Sequence, residues 1–91
     1  MKPVKKRVRV KNTLGLHTRP ATAIVKLLQK YQAKVEFTYK KTTVNARSIM
    51  GILMLAAKKS SWITITATGV DAQLVVEHLY AEFDTKFGEE T

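Results

Sequence analysis

Apolar residues recur with two different periods in this chain, and the two alternate along its length. Val4, Val8 and Val10 stand at even positions, while Lys5, Arg7, Arg9 and Lys11 fill the odd ones. A period near two fits a half-buried strand whose outer face is basic. Ala21, Ile24, Val25 and Leu28 then fall at i, i+3, i+4 and i+7, the stripe of a helix that starts near His17 or Thr18 and runs to about Tyr31. Ala33, Val35, Phe37 and Tyr39 return to strict alternation, and a short third strand follows over Thr42 to Ala46, after a turn at Lys40 and Lys41. Ile49, Ile52, Leu53 and Ala56 make a second helical stripe, with Ser48 as its N-cap and Lys58 and Lys59 at its C-terminal end. Ile63, Ile65 and Ala67 mark a fourth strand ended by Gly69, with Trp62 on its edge or open face. Asp71 caps a third helix that buries Ala72, Val75, Val76, Leu79 and Phe83, with His78 in a structural place near that stripe.

The order is therefore βαββαβα. One sheet must serve three apolar helical stripes, and the simplest arrangement lays all three helices on one face of it. Alternating strands argue for antiparallel pairing and for a second sheet face open to water. The expectation is an α+β open-faced β-sandwich: a four-stranded antiparallel sheet with three helices on one side. At 91 residues the chain suits a single domain over 1–91, with 88–91 as a frayed tail.

Other classes drop out on composition. There is no cysteine, and the two histidines, His17 and His78, have no acidic cluster near them in sequence, so neither a disulfide framework nor a metal cage is expected. No cofactor is implied. The longest mostly apolar run, Ile49 to Ala57, contains Gly51 and falls well short of the roughly 20 residues of a membrane span. No signal-peptide core follows the basic N-terminus, so the cytoplasm is the expected location and no membrane insertion is expected. A domain of this size has little room for a deep enclosing cleft, which places any chemistry near the surface. Lysine and arginine number 16 against 7 acids, a formal charge of +9, and residues 60–91 hold only Lys86 against six of the acids. Such polarity suits an anionic partner without choosing one.

The stretch Gly15-Leu16-His17-Thr18-Arg19-Pro20-Ala21 concentrates the chemistry. Pro20 has no amide hydrogen, so it belongs in the first turn of a helix and pins the helix start just behind His17. The unpaired amides of that turn, around Thr18, attract an anion such as phosphate. The same field disfavours imidazolium and leaves the ring available as a neutral nucleophile. Arg19 brings a permanent guanidinium charge to phosphoryl oxygens. Gly15 lets the chain turn sharply and a partner approach. These parts describe a histidine able to accept and pass on a phosphoryl group without metal or cofactor.

This stretch resembles the active-site signature of HPr, the histidine-containing phosphocarrier family of the bacterial phosphotransferase system. Val44-Asn45-Ala46-Arg47-Ser48-Ile49-Met50-Gly51-Ile52-Leu53 resembles the regulatory serine motif of the same family, at the family's separation. The resemblance implies the HPr fold over essentially the whole chain and a stoichiometric carrier in place of an enzyme. It implies that His17 takes phosphate on Nδ1 from enzyme I and gives it to an enzyme IIA domain, with Arg19 stabilising the group. It implies that Ser48 is the target of an HPr kinase/phosphorylase where one exists. The family docks partners on an apolar patch, which here maps to Leu16, Ile49, Met50 and Met54. A monomer is expected.

The strong positive charge departs from many members, and Lys40-Lys41 and Lys59-Ser60-Ser61 replace turns where glycine is common. Two other readings stand beside the carrier. One keeps the fold for a regulator that signals by phosphorylation-dependent binding without sugar transport. The other is a nucleic-acid-binding module using Lys5, Arg7, Arg9 and Lys11, against which stands the lack of stacking aromatics in the first strand. No stable nucleic-acid complex is expected.

Overall fold

The structure, a computed structural model, describes residues 1–89. Its elements follow the expected order: β1 (Val4–Arg9), α1 (Thr18–Leu28), β2 (Lys34–Tyr39), β3 (Thr42–Asn45), α2 (Ile49–Met54), β4 (Trp62–Thr68) and α3 (Ala72–Asp84), then a tight 3-10 turn at Lys86–Gly88. The strands form one antiparallel sheet in the order β1-β4-β2-β3. β4 sits between β1 and β2, so the last strand in sequence closes the sheet over the first.

Register explains which side is covered. Val8 lies opposite Ile63, Ile65 opposite Phe37, and Ala67 opposite Val35, and all of these are buried. On the other face Arg9 pairs with Trp62, Arg7 with Thr64, and Thr64 with Thr38, a row of polar and charged groups facing water. The period-two pattern thus sorts apolar side chains onto the helical layer and most of the rest onto an open face, Lys6 opposite Ile65 being an exception at the free edge. Ile24 and Leu28 of α1, Ile52 of α2, and Val75, Leu79 and Phe83 of α3 complete a single apolar cluster with the sheet. Phe83 meets Phe37 edge-on at 5.8 Å and Phe87 at 4.9 Å, anchoring the C-terminal turn to the core.

Several details depart from the expected pattern, the first being that α1 ends at Leu28, three residues short of Tyr31. α2 ends at Met54, because Ala56 takes a left-handed φ of 51° and the chain swings so that Leu55 and Ala57 go inward. Ala56 is therefore exposed and off the buried stripe, and Lys58 and Lys59 lie beyond the helix with no place in its last turn. Asp71 flanks α3 but makes no capping bond. Its carboxylate instead accepts the amides of Gln32 and Ala33, both at 2.8 Å, and so fastens the loop between α1 and β2. Those two backbone donors outweigh partial burial and hold the Asp71 carboxyl below its usual range. His78 has the expected structural place, its Nδ1 2.8 Å from the Tyr31 hydroxyl.

Of the tail expected to fray, Gly88 closes the 3-10 turn and Glu89 makes side-chain contacts taken up below, while residues 90 and 91 lie outside the described residues. The turns that lack glycine show why glycine is usual there: Lys40 and Ser60 adopt φ of 56° and 76°. No helix among the described residues is long and apolar enough to cross a membrane.

Candidate functional site

The site is built on the loop between β1 and α1. Gly15 has φ of 70°, and a Cβ there would stand 2.3 Å from the Ala57 carbonyl oxygen. Only glycine lets the loop lie this close to the chain leaving α2. The Leu16 amide donates to that same Ala57 oxygen at 3.0 Å, so the two loops are locked together. This contact ties the loop that carries His17 to the segment that follows the C-terminal end of α2.

His17 is the N-cap of α1. Its backbone is extended (φ −83°, ψ −169°), and its carbonyl accepts the Ala21 amide at 3.1 Å. Pro20 occupies the first turn and is buried, as its missing donor allows. Thr18 and Arg19 keep their amides at the open end of the helix, where neither donates to an acceptor among the described residues. The ring does not fold down to cap the helix, and the His17 side chain is 30% exposed. The imidazole therefore stands at the mouth of an array of free donors.

A group that sequence pattern did not mark holds the ring. Nε2 of His17 is 3.1 Å from the carboxylate of Glu89, whose side chain is only 8% exposed. Glu89 is brought there by Asn12, fully buried, whose Nδ2 donates to the Lys86 carbonyl at 2.8 Å and to the Glu89 carboxylate. Burial alone would raise the Glu89 carboxyl, but the bonds from Asn12 and His17, with the charges of His17 and Arg19, pull it below its usual range. An ionised carboxylate only accepts, so the proton on this edge of the imidazole belongs to Nε2. In the neutral ring that leaves the Nδ1 lone pair unprotonated, a nucleophile on the other edge. Asn12 and Glu89 carried no periodic or motif signal; the sole hint was a lone asparagine directly after a basic strand.

The second stretch is assembled as a helix start. Ser48 Oγ accepts the Gly51 amide at 3.0 Å and caps α2. Ile49, Met50 and Met54 are exposed, the two methionines by 67% and 72%. Leu16 is a correction: it is 4% exposed and belongs to the core, because its amide bond to Ala57 turns its side chain inward. The exposed leucine of this loop is Leu14, at 73%. Arg47, beside Ser48, was read only as part of a motif. Its guanidinium donates to the carbonyls of Leu28 and Tyr31 at 2.8 Å and of Ala33 at 2.9 Å, closing the C-terminal end of α1.

A family model described as the phosphorylation site of the PTS HPr component matches residues 4–85. The chain belongs to the HPr family. Phosphocarrier protein HPr of Chlamydia muridarum is 44% identical over 80 residues, which cover 88% of this chain and 77% of that one. The crystal structure of a phosphocarrier HPr from Bacillus anthracis superposes with a TM-score of 0.83 at 43% identity, over 87% of this chain and 94% of that one. An HPr structure from Thermoanaerobacter tengcongensis gives 0.88 at 34% identity with both chains fully covered. HPr is a phosphocarrier of the phosphotransferase system and not an enzyme with its own turnover. The fold and the order of its elements are those of HPr structures.

Proposed function

We propose that this chain receives a phosphoryl group on Nδ1 of His17 from the phosphohistidine of enzyme I and delivers it to an enzyme IIA domain, acting as a monomer in the cytoplasm. The observation that carries the reading is the pairing of Glu89 with Nε2, which leaves Nδ1 unprotonated at the open end of α1. In the step, the Nδ1 lone pair attacks phosphorus as the donor's N–P bond breaks, and the bonding pair returns to the donor's imidazole. The free amides at Thr18 and Arg19 and the Arg19 guanidinium face the oxygens of the transferred group, whose charge they offset. Pro20 contributes by fixing where the helix starts. No water need enter, so the energy of the N–P bond is conserved in the product.

Partners dock on Ile49, Met50 and Met54, with Leu14 in the place of the buried Leu16. Methionine side chains adapt to different surfaces, which suits a carrier that must fit a donor and several acceptors in turn. Ser48 is the regulatory site, modified by an HPr kinase/phosphorylase. A phosphate on its Oγ would sit at the start of α2 beside this docking patch, tolerated by the helix and repelled by an acidic partner.

The reading is tested by incubation with phosphoenolpyruvate and enzyme I. Wild type should gain one acid-labile phosphoryl group, His17→Ala none while remaining folded, and Ser48→Asp the same group at least several-fold more slowly. Labelling of His17→Ala would overturn the acceptor assignment, and an unchanged rate in Ser48→Asp would overturn the regulatory one.

A further inference from the structure

Part of the positive charge of the chain sits on residues that phosphoryl transfer does not use. Lys5, Arg7 and Arg9 project from β1 onto the open face of the sheet, where neither arginine meets a carboxylate among the described residues. The strand has no aromatic residue, but register supplies one from its neighbour: Trp62 of β4 lies directly opposite Arg9. The guanidinium of Arg7 stands 4.7 Å from the centre of the indole and that of Arg9 5.7 Å from it, and Trp62 remains 48% exposed between them. Beside this group a cavity of about 270 Å³ opens around the free edge of β1, with Arg7, Arg9, Lys11, Trp62, Tyr80 and Asp84 among the residues that line it. Asp84 is already neutralised by its ion pair with Lys11. Farther across the face, Thr64, Thr38 and Thr43 add hydroxyls in one row, and the acid Glu36 stands two strands from β1.

Cations alone would suit any polyanion. An exposed indole fixed among guanidinium groups adds a flat surface on which a base can stack while phosphates on either side meet the arginines and Lys5. Carboxylates of an acidic protein surface have no use for that ring. We infer that the open sheet face along β1 and β4 is a second binding surface, for a short stretch of single-stranded nucleic acid, with one base on Trp62 and the flanking phosphates on Lys5, Arg7 and Arg9. The inference is independent of the phosphoryl-carrier reading, because the surface shares no residue with the histidine site.

Trp62 is the sole tryptophan, so its fluorescence reports the site directly. Titration with a twelve-nucleotide oligothymidylate at low salt should quench it, and three phosphate contacts should give a slope of about −2 in a plot of log affinity against log salt. Trp62→Ala, read by anisotropy of a labelled oligonucleotide, should weaken binding about tenfold. Arg7→Ser with Arg9→Ser should weaken it and flatten the salt slope to about −0.7. Each variant should still accept phosphate on His17, which shows it to be folded. The inference is overturned if the oligonucleotide leaves the fluorescence unchanged, or if Trp62→Ala binds as well as wild type. It is also overturned if polyglutamate displaces the oligonucleotide at equal charge concentration, which would make the face a site for an acidic protein.

Discussion

At the scale of single residues, phosphoryl acceptance turns on which edge of one imidazole carries the proton. Glu89 can only accept, so it selects the Nε2–H form of His17 in the neutral ring. The carboxyl is held below its usual range, so its charge persists on acidification beyond the point where an ordinary glutamate is protonated. Its contribution to stability is therefore complete above the ordinary carboxylate range and is lost as pH falls through the lowered value. Nitrogen-15 NMR at pH 8 should show Nε2 protonated and Nδ1 bare, and Glu89→Ala should shift the ring toward a mixture of tautomers. A wild-type ring protonated on Nδ1 would contradict this. The helix start behind His17 was legible in the sequence because its chemistry is local: a proline is favoured in a helix's first turn, and the groups around it inherit that position. Glu89 was not legible, since it reaches His17 from 72 residues away along the chain, carried there by a turn of left-handed residues and by the buried amide of Asn12. Leu16 was misjudged for the opposite reason. One backbone bond to Ala57 decides that it points inward, and proximity to the histidine in sequence says nothing of that.

At the scale of elements, the strands and helices follow from periodicity almost without exception, because a sheet covered on one face enforces a period of two and its helices a period near 3.6. What periodicity misses is how elements end and how they are tied. The sequence carries α2 on to Ala56 and the lysines after it; a left-handed residue stops it at Met54. Asp71 carries the composition of a helix cap and is used as a clamp on the amides of Gln32 and Ala33. Arg47 lies on the opposite side of the same junction, donating to three carbonyls at the end of α1 and the start of β2. A cation at a helix C-terminus is favourable in itself, and here it also satisfies acceptors that the helix leaves unpaired. Arg47→Ala should lower the free energy of unfolding by about 2 kcal/mol, as the loss of charge-assisted bonds to partly buried carbonyls requires. Urea denaturation followed by circular dichroism measures it, and a change of less than about 0.5 kcal/mol, the usual size for a surface substitution, would show the three bonds to be incidental.

At the scale of the whole molecule, the two faces of the sandwich divide the work. The helical layer carries the apolar core, and the loops entering α1 and leaving α2 meet at Ala57. The open sheet face carries the arginines and the tryptophan. This separation was partly legible in sequence, since the basic odd positions of β1 mark the outer face. Pairing across strands was not, and only the register sets Trp62 against Arg9. The central claim concerns the histidine side, and the most direct measurement is NMR of the isolated phosphorylated protein, with phosphorus-31 coupled to nitrogen-15 in the His17 ring. A single N–P bond at Nδ1, with the proton still on Nε2, is the expected result. A bond at Nε2, or phosphate on any other side chain, would contradict it.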